Sequence, residues 1–393
     1  MHVGVSGRHV PKLLPGQESH LRLDSRRYEV LDGLRGVAAI GVLAFHFSII
    51  GAPPLFPHGW LAVDFFFILS GFVISHSYWR RMQTASFAEF AMVRARRMLP
   101  LSLLGLLIGT AYFLVRRAVL PDSFYQPADI LSGAFLNAFL IPKLWVTSAP
   151  TDTTFPTNTP LWSLSFEFAV NMVWAAGLFR AKPIHDLIIC ALSGVALACF
   201  VCAVGSGDLG ATWPTFAGGA ARTVFGFFLG VLFWRIRPVP RPSGAVPWIA
   251  SALLLLVLSA PETGPTSDLC MVFFVLPALM WLAVSFDLKA EQPIFSLLGR
   301  ISYPLYALHV PILMLLVGGF RLLKLESLTG YWVYVLALPM MIAAYAADRF
   351  YDVPVRRFLT KAATPKVSHF LKIGHAKADS APDGGQSFRH EQR

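Results

Sequence analysis

The chain has 393 residues, 55% hydrophobic and only 14% charged, with a formal net charge of +11 and a mean hydropathy of +0.58. A soluble domain carries about 25% charged residues, so the composition argues against an ordinary soluble enzyme. The basic residues fall in short clusters between apolar runs and build no continuous basic face, which excludes a nucleic-acid partner.

Residues 1–27 are polar, contain proline and lack the apolar core of a signal peptide, so they are expected to form a mobile cytosolic arm. Ten candidate spans follow, near 33–52, 59–79, 99–119, 160–179, 185–205, 216–234, 246–260, 269–286, 298–318 and 331–350. The expected fold is therefore all-α and polytopic, with a membrane domain over residues 28–358 and a disordered cytosolic tail over 359–393. Basic clusters orient it. Arg80, Arg81, Arg94, Arg96 and Arg97 follow the second span, Arg180 and Lys182 the fourth, Arg235, Arg237 and Arg241 the sixth, and Arg349, Arg356, Arg357 and Lys361 the tenth. With both termini in the cytoplasm all of these face inward, although Arg116, Arg117, Lys143, Arg321 and Lys324 fall near outer ends.

The first span, LDGLRGVAAIGVLAFHFSIIG, carries Arg35 at its edge and His46 deep within it. Eleven residues at about 100° each make three turns plus about 20°, so both project from one helix face about 16 Å apart. Ionisable groups at bilayer depth are costly and mark pathways or catalytic pockets by default. Asp64 in the second span, Glu167 in the fourth and His309 in the ninth are expected at heights similar to His46, where convergence in one cavity is the economical arrangement. Each residue also has a plainer reading. Arg35 could snorkel, His46 could be a buried hydrogen-bonding group, Asp64 and Glu167 could pin helices, and His309, two residues before Pro311, could serve packing or a kink.

In FAMVRARRMLP, Arg94 and Arg97 stand at i and i+3 on one face at the entrance to the third span, a fork suited to a pyrophosphate or to anionic lipid. The run Ile130–Ile141 is too short to cross and is expected to form a re-entrant or interfacial helix; the long outer segment 120–159 that holds it is expected to be an ordered but irregular loop that selects the acceptor. Cys199 and Cys202 share helical spacing within the fifth span and are expected to pack rather than bind metal. The histidines have no ligand spacing, so no metal site is expected.

Taken in order, LDGLRGVAAIGVLAFHF, GWLAVDFFFILSGFVIS, RARRMLP, TPLWSLSFEF and RISYPLYALH resemble the successive motifs of the acyltransferase 3 family of integral membrane O-acyltransferases, over about residues 28–358. The resemblance places the family's basic residue and catalytic histidine on Arg35 and His46, its RxxR element on Arg94 and Arg97, and its WSLSxE glutamate on Glu167. The family's Glu-x-Pro near the last span reads Asp352-Val353-Pro354 here. It implies a multi-pass protein of the inner (plasma) membrane that moves an acyl group, most often acetyl from acetyl-CoA, to a hydroxyl of a carbohydrate or lipid-linked glycan. Arg35, Arg94 and Arg97 would hold the phosphates of the acyl-CoA donor. His46 would act as general base, directly or through an acyl-histidine, with Asp64 or Glu167 setting its tautomer. Acylation of a macrolide or other small hydroxylated molecule fits the same resemblance. A transporter without acyl-transfer chemistry would also use buried charges, but no internal repeat supports one.

Overall fold

The computed structural model describes residues 28–49, 51–120, 126–143, 152–290, 292–324 and 330–362. The expected N-terminal arm and nearly all of the expected C-terminal tail lie outside the described residues, as do 121–125 and 144–151 of the long loop. The helices are α1 (Glu29–Ile49), α2 (Leu61–Tyr78), α3 (Phe87–Val119), α4 (Pro127–Asn137), α5 (Leu161–Ala175), α6 (Pro183–Val204), α7 (Phe216–Ile236), α8 (Val246–Ser259), α9 (Pro265–Ser285), α10 (Pro293–Leu322) and α11 (Tyr331–Lys361).

Among the described residues, eight helices are long and apolar enough to cross a membrane. The expected fourth and seventh spans are shorter. Helices α5 and α8 have 15 and 14 residues, about 22 and 21 Å against a hydrocarbon core of about 30 Å. Proline sets these limits: Pro160 precedes α5, while α8 has Pro247 in its first turn and Pro261 just beyond its end. Helix α4, 11 residues long, is likewise too short to cross. Cys199 and Cys202 are free thiols on the exposed surface of α6, not packed inward as expected. A short parallel pairing of Arg241–Ser243 with Phe286–Leu288 ties the ends of α7 and α9; three-residue strands leave no periodic signal.

Close helix approach builds the core. A Cβ on Gly36 of α1 would lie 2.4 Å from Leu298 Cβ on α10, and one on Gly71 of α2 would lie 1.9 Å from the Phe227 carbonyl oxygen on α7. Without water to drive association, such small-residue contacts are a principal source of helix pairing in lipid. Helix α3 has 33 residues, about 50 Å, so it can span and still project its charged first turns beyond the hydrocarbon. A capping box between Ser86 and Glu89 starts it.

Helix α10 contains Pro304 and Pro311, neither of which can donate to the turn before. Pro311 releases the Ala307 carbonyl, and Asn158 Nδ2, from the loop ahead of α5, donates to it at 3.0 Å. The carbonyl that Pro311 frees in α10, two residues before His309, is thereby tied to that loop.

Candidate active site

At the arginine-bearing end of the bundle, α1, α2, α3, α5 and α10 enclose a cavity of about 130 Å³ lined by Arg35, Ser70, Arg94, Arg97, Glu167, Ser302, Tyr303 and Tyr306, among apolar neighbours. Arg35 is held against α10. Its Nε donates to Ser302 Oγ at 2.8 Å, its Nη2 to the Gly299 carbonyl at 2.8 Å, and Asp32, one turn earlier, lies 3.1 Å from Nη2. Arg94 Nη2 donates to Glu167 Oε1 at 3.1 Å, and the same oxygen accepts from Ser70 Oγ at 2.9 Å. Arg94 Nε, buried, has no hydrogen-bond partner among the described residues. Arg97 lies over the Tyr303 ring, 5.3 Å from its centroid, and reaches Asp352 only at 4.0 Å. With 36% of its side chain exposed, Arg97 is the most accessible of these three guanidiniums.

Tyr306, Phe66 and Ser163 form a layer along one wall of this cavity. The Tyr306 hydroxyl meets Ser163 Oγ at 2.5 Å, and its ring meets Phe66 edge-on at 5.6 Å. Tyr306 also touches His309 at 5.7 Å between ring centroids, and His309 meets His46 at 4.6 Å with the planes 76° apart. His46 Nδ1 lies 2.8 Å from the Val42 carbonyl oxygen. A carbonyl only accepts, so Nδ1 carries the hydrogen and, in the neutral ring, Nε2 keeps its lone pair. The imidazole tautomer expected to depend on Asp64 or Glu167 is set instead by the backbone of its own helix.

The structure therefore brings His46 together with His309, and Arg94 with Glu167, but does not gather all four deep groups in one cavity. Glu167 lies with the arginines because α5 begins inside the bundle: Leu161 and Trp162 are buried, so counting depth from the start of this span misplaces it. Asp64 belongs to a different cluster. Arg222 of α7 donates Nε to its Oδ1 at 3.0 Å and Nη2 to its Oδ2 at 2.6 Å, a bidentate pair. Arg222 Nη1 donates to the Leu209 carbonyl at 2.6 Å, and the guanidinium lies over the rings of Trp60 and Trp162, 5.1 and 5.6 Å from their centroids.

Sequence reasoning missed Arg222, although an arginine within the apolar run FAGGAARTVFGFF demanded a buried carboxylate. It also missed Ser302, Tyr303 and Tyr306, hydroxyl-bearing residues with no signal in a hydropathy scan. Asp352 is buried and meets Arg356 Nη2 at 2.8 Å, so it does place a carboxylate beside Arg97. Among the described residues, no three His, Cys, Asp or Glu side chains cluster in a way that could hold a metal ion.

Residues 28–347 match the family described as "Acyltransferase domain", the one expected from the motif order. The chain is 24% identical over 389 residues to "Peptidoglycan O-acetyltransferase OatA" of Listeria monocytogenes, covering 85% of this chain and 56% of that protein. It is 32% identical over 179 residues to "Protein 2 in picA locus" of Rhizobium radiobacter, 44% of this chain and 93% of that one. It is also 31% identical over 185 residues to "Acyltransferase MdmB" of Streptomyces mycarofaciens, 44% of this chain and 45% of that one. The chain thus spans about half the length of the OatA and MdmB relatives. No solved structure matches.

Proposed function

This chain, a multi-pass membrane protein, belongs to the acyltransferase domain family, and on that premise we propose that it moves an acyl group, acetyl in the first instance, from acyl-CoA to a hydroxyl of a carbohydrate or glycolipid acceptor. The observation that carries this reading is the pairing of an arginine-framed cavity with a histidine whose Nε2 is left as a base, on opposite sides of the Tyr306 layer. The relatives named O-acetyltransferases support the acetyl group, and the peptidoglycan acceptor of the Listeria protein supports a glycan of the cell envelope.

In this mechanism the arginine-bearing end faces the cytoplasm, where acyl-CoA is found, in keeping with the basic clusters there. Arg97, the exposed cation, is the principal contact for the donor's phosphates. Arg94 is paired with Glu167 at the cavity wall, and Arg35, clamped by Ser302 and Gly299, closes the cavity rim. The flexible thioester arm extends past Tyr306 toward His46. His46 Nε2 takes the proton from the acceptor hydroxyl as its oxygen bonds to the acyl carbon. The C–S bond then breaks and the thiolate leaves, later collecting a proton. General-base assistance of this kind is worth about 10² to 10⁴ in rate.

The test is transfer of label from radiolabelled acetyl-CoA to a lysate-derived glycan pool by purified protein in vesicles, beside His46→Ala. Label on a glycan with the wild type only is the expected result. Substantial turnover by His46→Ala rejects His46 as the base, and label carried across the vesicle without an acylated product rejects acyl transfer in favour of transport.

A further inference from the structure

His309 has a feature that the reaction written above does not use. Its Nδ1 lies 2.8 Å from the Tyr306 carbonyl oxygen and 3.2 Å from that of Leu305, so it too carries hydrogen on Nδ1 and turns Nε2 away from its own helix. That Nε2 is buried and, among the described residues, has no hydrogen-bond partner, in a residue only 1% exposed. Among the described residues, His46 Nε2 likewise has none. Two rings 4.6 Å apart thus each keep an Nε2 that no donor among the described residues reaches. Lone pairs cannot satisfy one another. They call for a molecule that brings two donors at once.

We propose that His309 Nε2 is an acceptor-binding group, and that the preferred acyl acceptor carries a second O–H or N–H donor on the carbon adjacent to the one bearing the reacting hydroxyl. The reacting hydroxyl donates to His46 Nε2, and its neighbour donates to His309 Nε2. The inference rests on His46 as the base. It adds the substrate class, since a lone hydroxyl would leave His309 Nε2 buried without a partner. Sites built around such a group discriminate against analogues lacking the matching donor. The Asn158 link to Ala307 and the Tyr306 ring hold His309 in place for this role.

The experiment compares cis-1,2-cyclohexanediol with cyclohexanol as acceptors of label from radiolabelled acetyl-CoA, using the full-length protein in vesicles. With wild type, kcat/KM is expected to favour the diol by at least about tenfold beyond its statistical factor of two. In His309→Asn, whose amide can keep the bond to the Tyr306 carbonyl but places nothing at the Nε2 position, the preference is expected to fall to about that statistical factor. A purely structural His309 would lower both rates together and leave the ratio standing. A wild type that labels the diol no better than the mono-ol overturns the proposal without any variant, as does an undiminished ratio in His309→Asn. The two readings fail separately: an active His46→Ala refutes the base, whereas an inactive His46→Ala with no diol preference in the wild type refutes only the role of His309.

Discussion

Two arginine–carboxylate pairs inside the helix bundle use the same chemistry to different ends. At the Arg222–Asp64 pair, Arg222 Nε and both Nη nitrogens meet oxygen, the guanidinium lies over two tryptophan rings, and the side chains are 1% and 3% exposed. At the Arg94–Glu167 pair a single contact of 3.1 Å joins side chains that are 12% and 20% exposed, Arg94 Nε has no hydrogen-bond partner among the described residues, and the pair lines a cavity. A saturated pair has nothing left to offer a ligand. A partly satisfied pair beside open space does, and incomplete pairing is thus a better guide to a site than buried charge alone.

The largest effect is expected from breaking the saturated pair. Arg222→Ala leaves Asp64 charged and buried without its partner, a change that costs about 3 to 5 kcal/mol. It should abolish recovery of folded protein, read as a lost melting transition in detergent, whereas Arg222→Met with Asp64→Leu should restore much of it. A stable Arg222→Ala protein would show that this cluster is not structural.

Arg97→Ala sharpens the contrast from the other side. Among the described residues its one carboxylate contact, Asp352, stands 4.0 Å away, so removal should leave the melting temperature almost unchanged. Loss of a charge-assisted contact with a phosphate should raise the KM for acetyl-CoA roughly 10 to 100-fold. An unchanged KM would remove Arg97 from the donor site.

These differences explain how much could be read in advance. The all-α membrane architecture was legible because hydropathy reports burial in lipid directly, and Arg35 with His46 because one helix fixes their relation. Partners on other helices were not. Asp64 and His46 looked equivalent by depth, yet α2 turns Asp64 toward Arg222 on α7 while α1 turns His46 toward His309 on α10. Helix rotation and the buried start of α5 are tertiary facts that no single run of residues encodes. Asn158 is the clearest case. In sequence it is one polar residue in a Thr- and Pro-rich loop, and only the fold reveals that its amide satisfies the carbonyl freed by Pro311. Asn158→Leu should accordingly destabilise the protein by about 1 to 3 kcal/mol, seen as a lower melting temperature, and no shift would mean the Ala307 carbonyl finds another donor.

The smallest effect, and the most informative about the open pair, is expected from Glu167→Gln. The amide oxygen can still accept from both Ser70 and Arg94, so the geometry survives and stability should change by less than about 1 kcal/mol. What disappears is the negative charge that offsets Arg94 at the cavity wall. If Arg94 serves the donor through its net charge, acetyl-CoA should bind more tightly, with KM falling about two- to fivefold and becoming more sensitive to salt. If the carboxylate serves to aim Arg94, KM should rise instead, because a neutral acceptor holds a guanidinium less firmly. The first outcome is favoured, since Ser70 and the packing of α3 against α5 fix both side chains independently of charge. A fall in kcat with KM unchanged would contradict both, and would place Glu167 against the reacting atoms instead of the donor's phosphates.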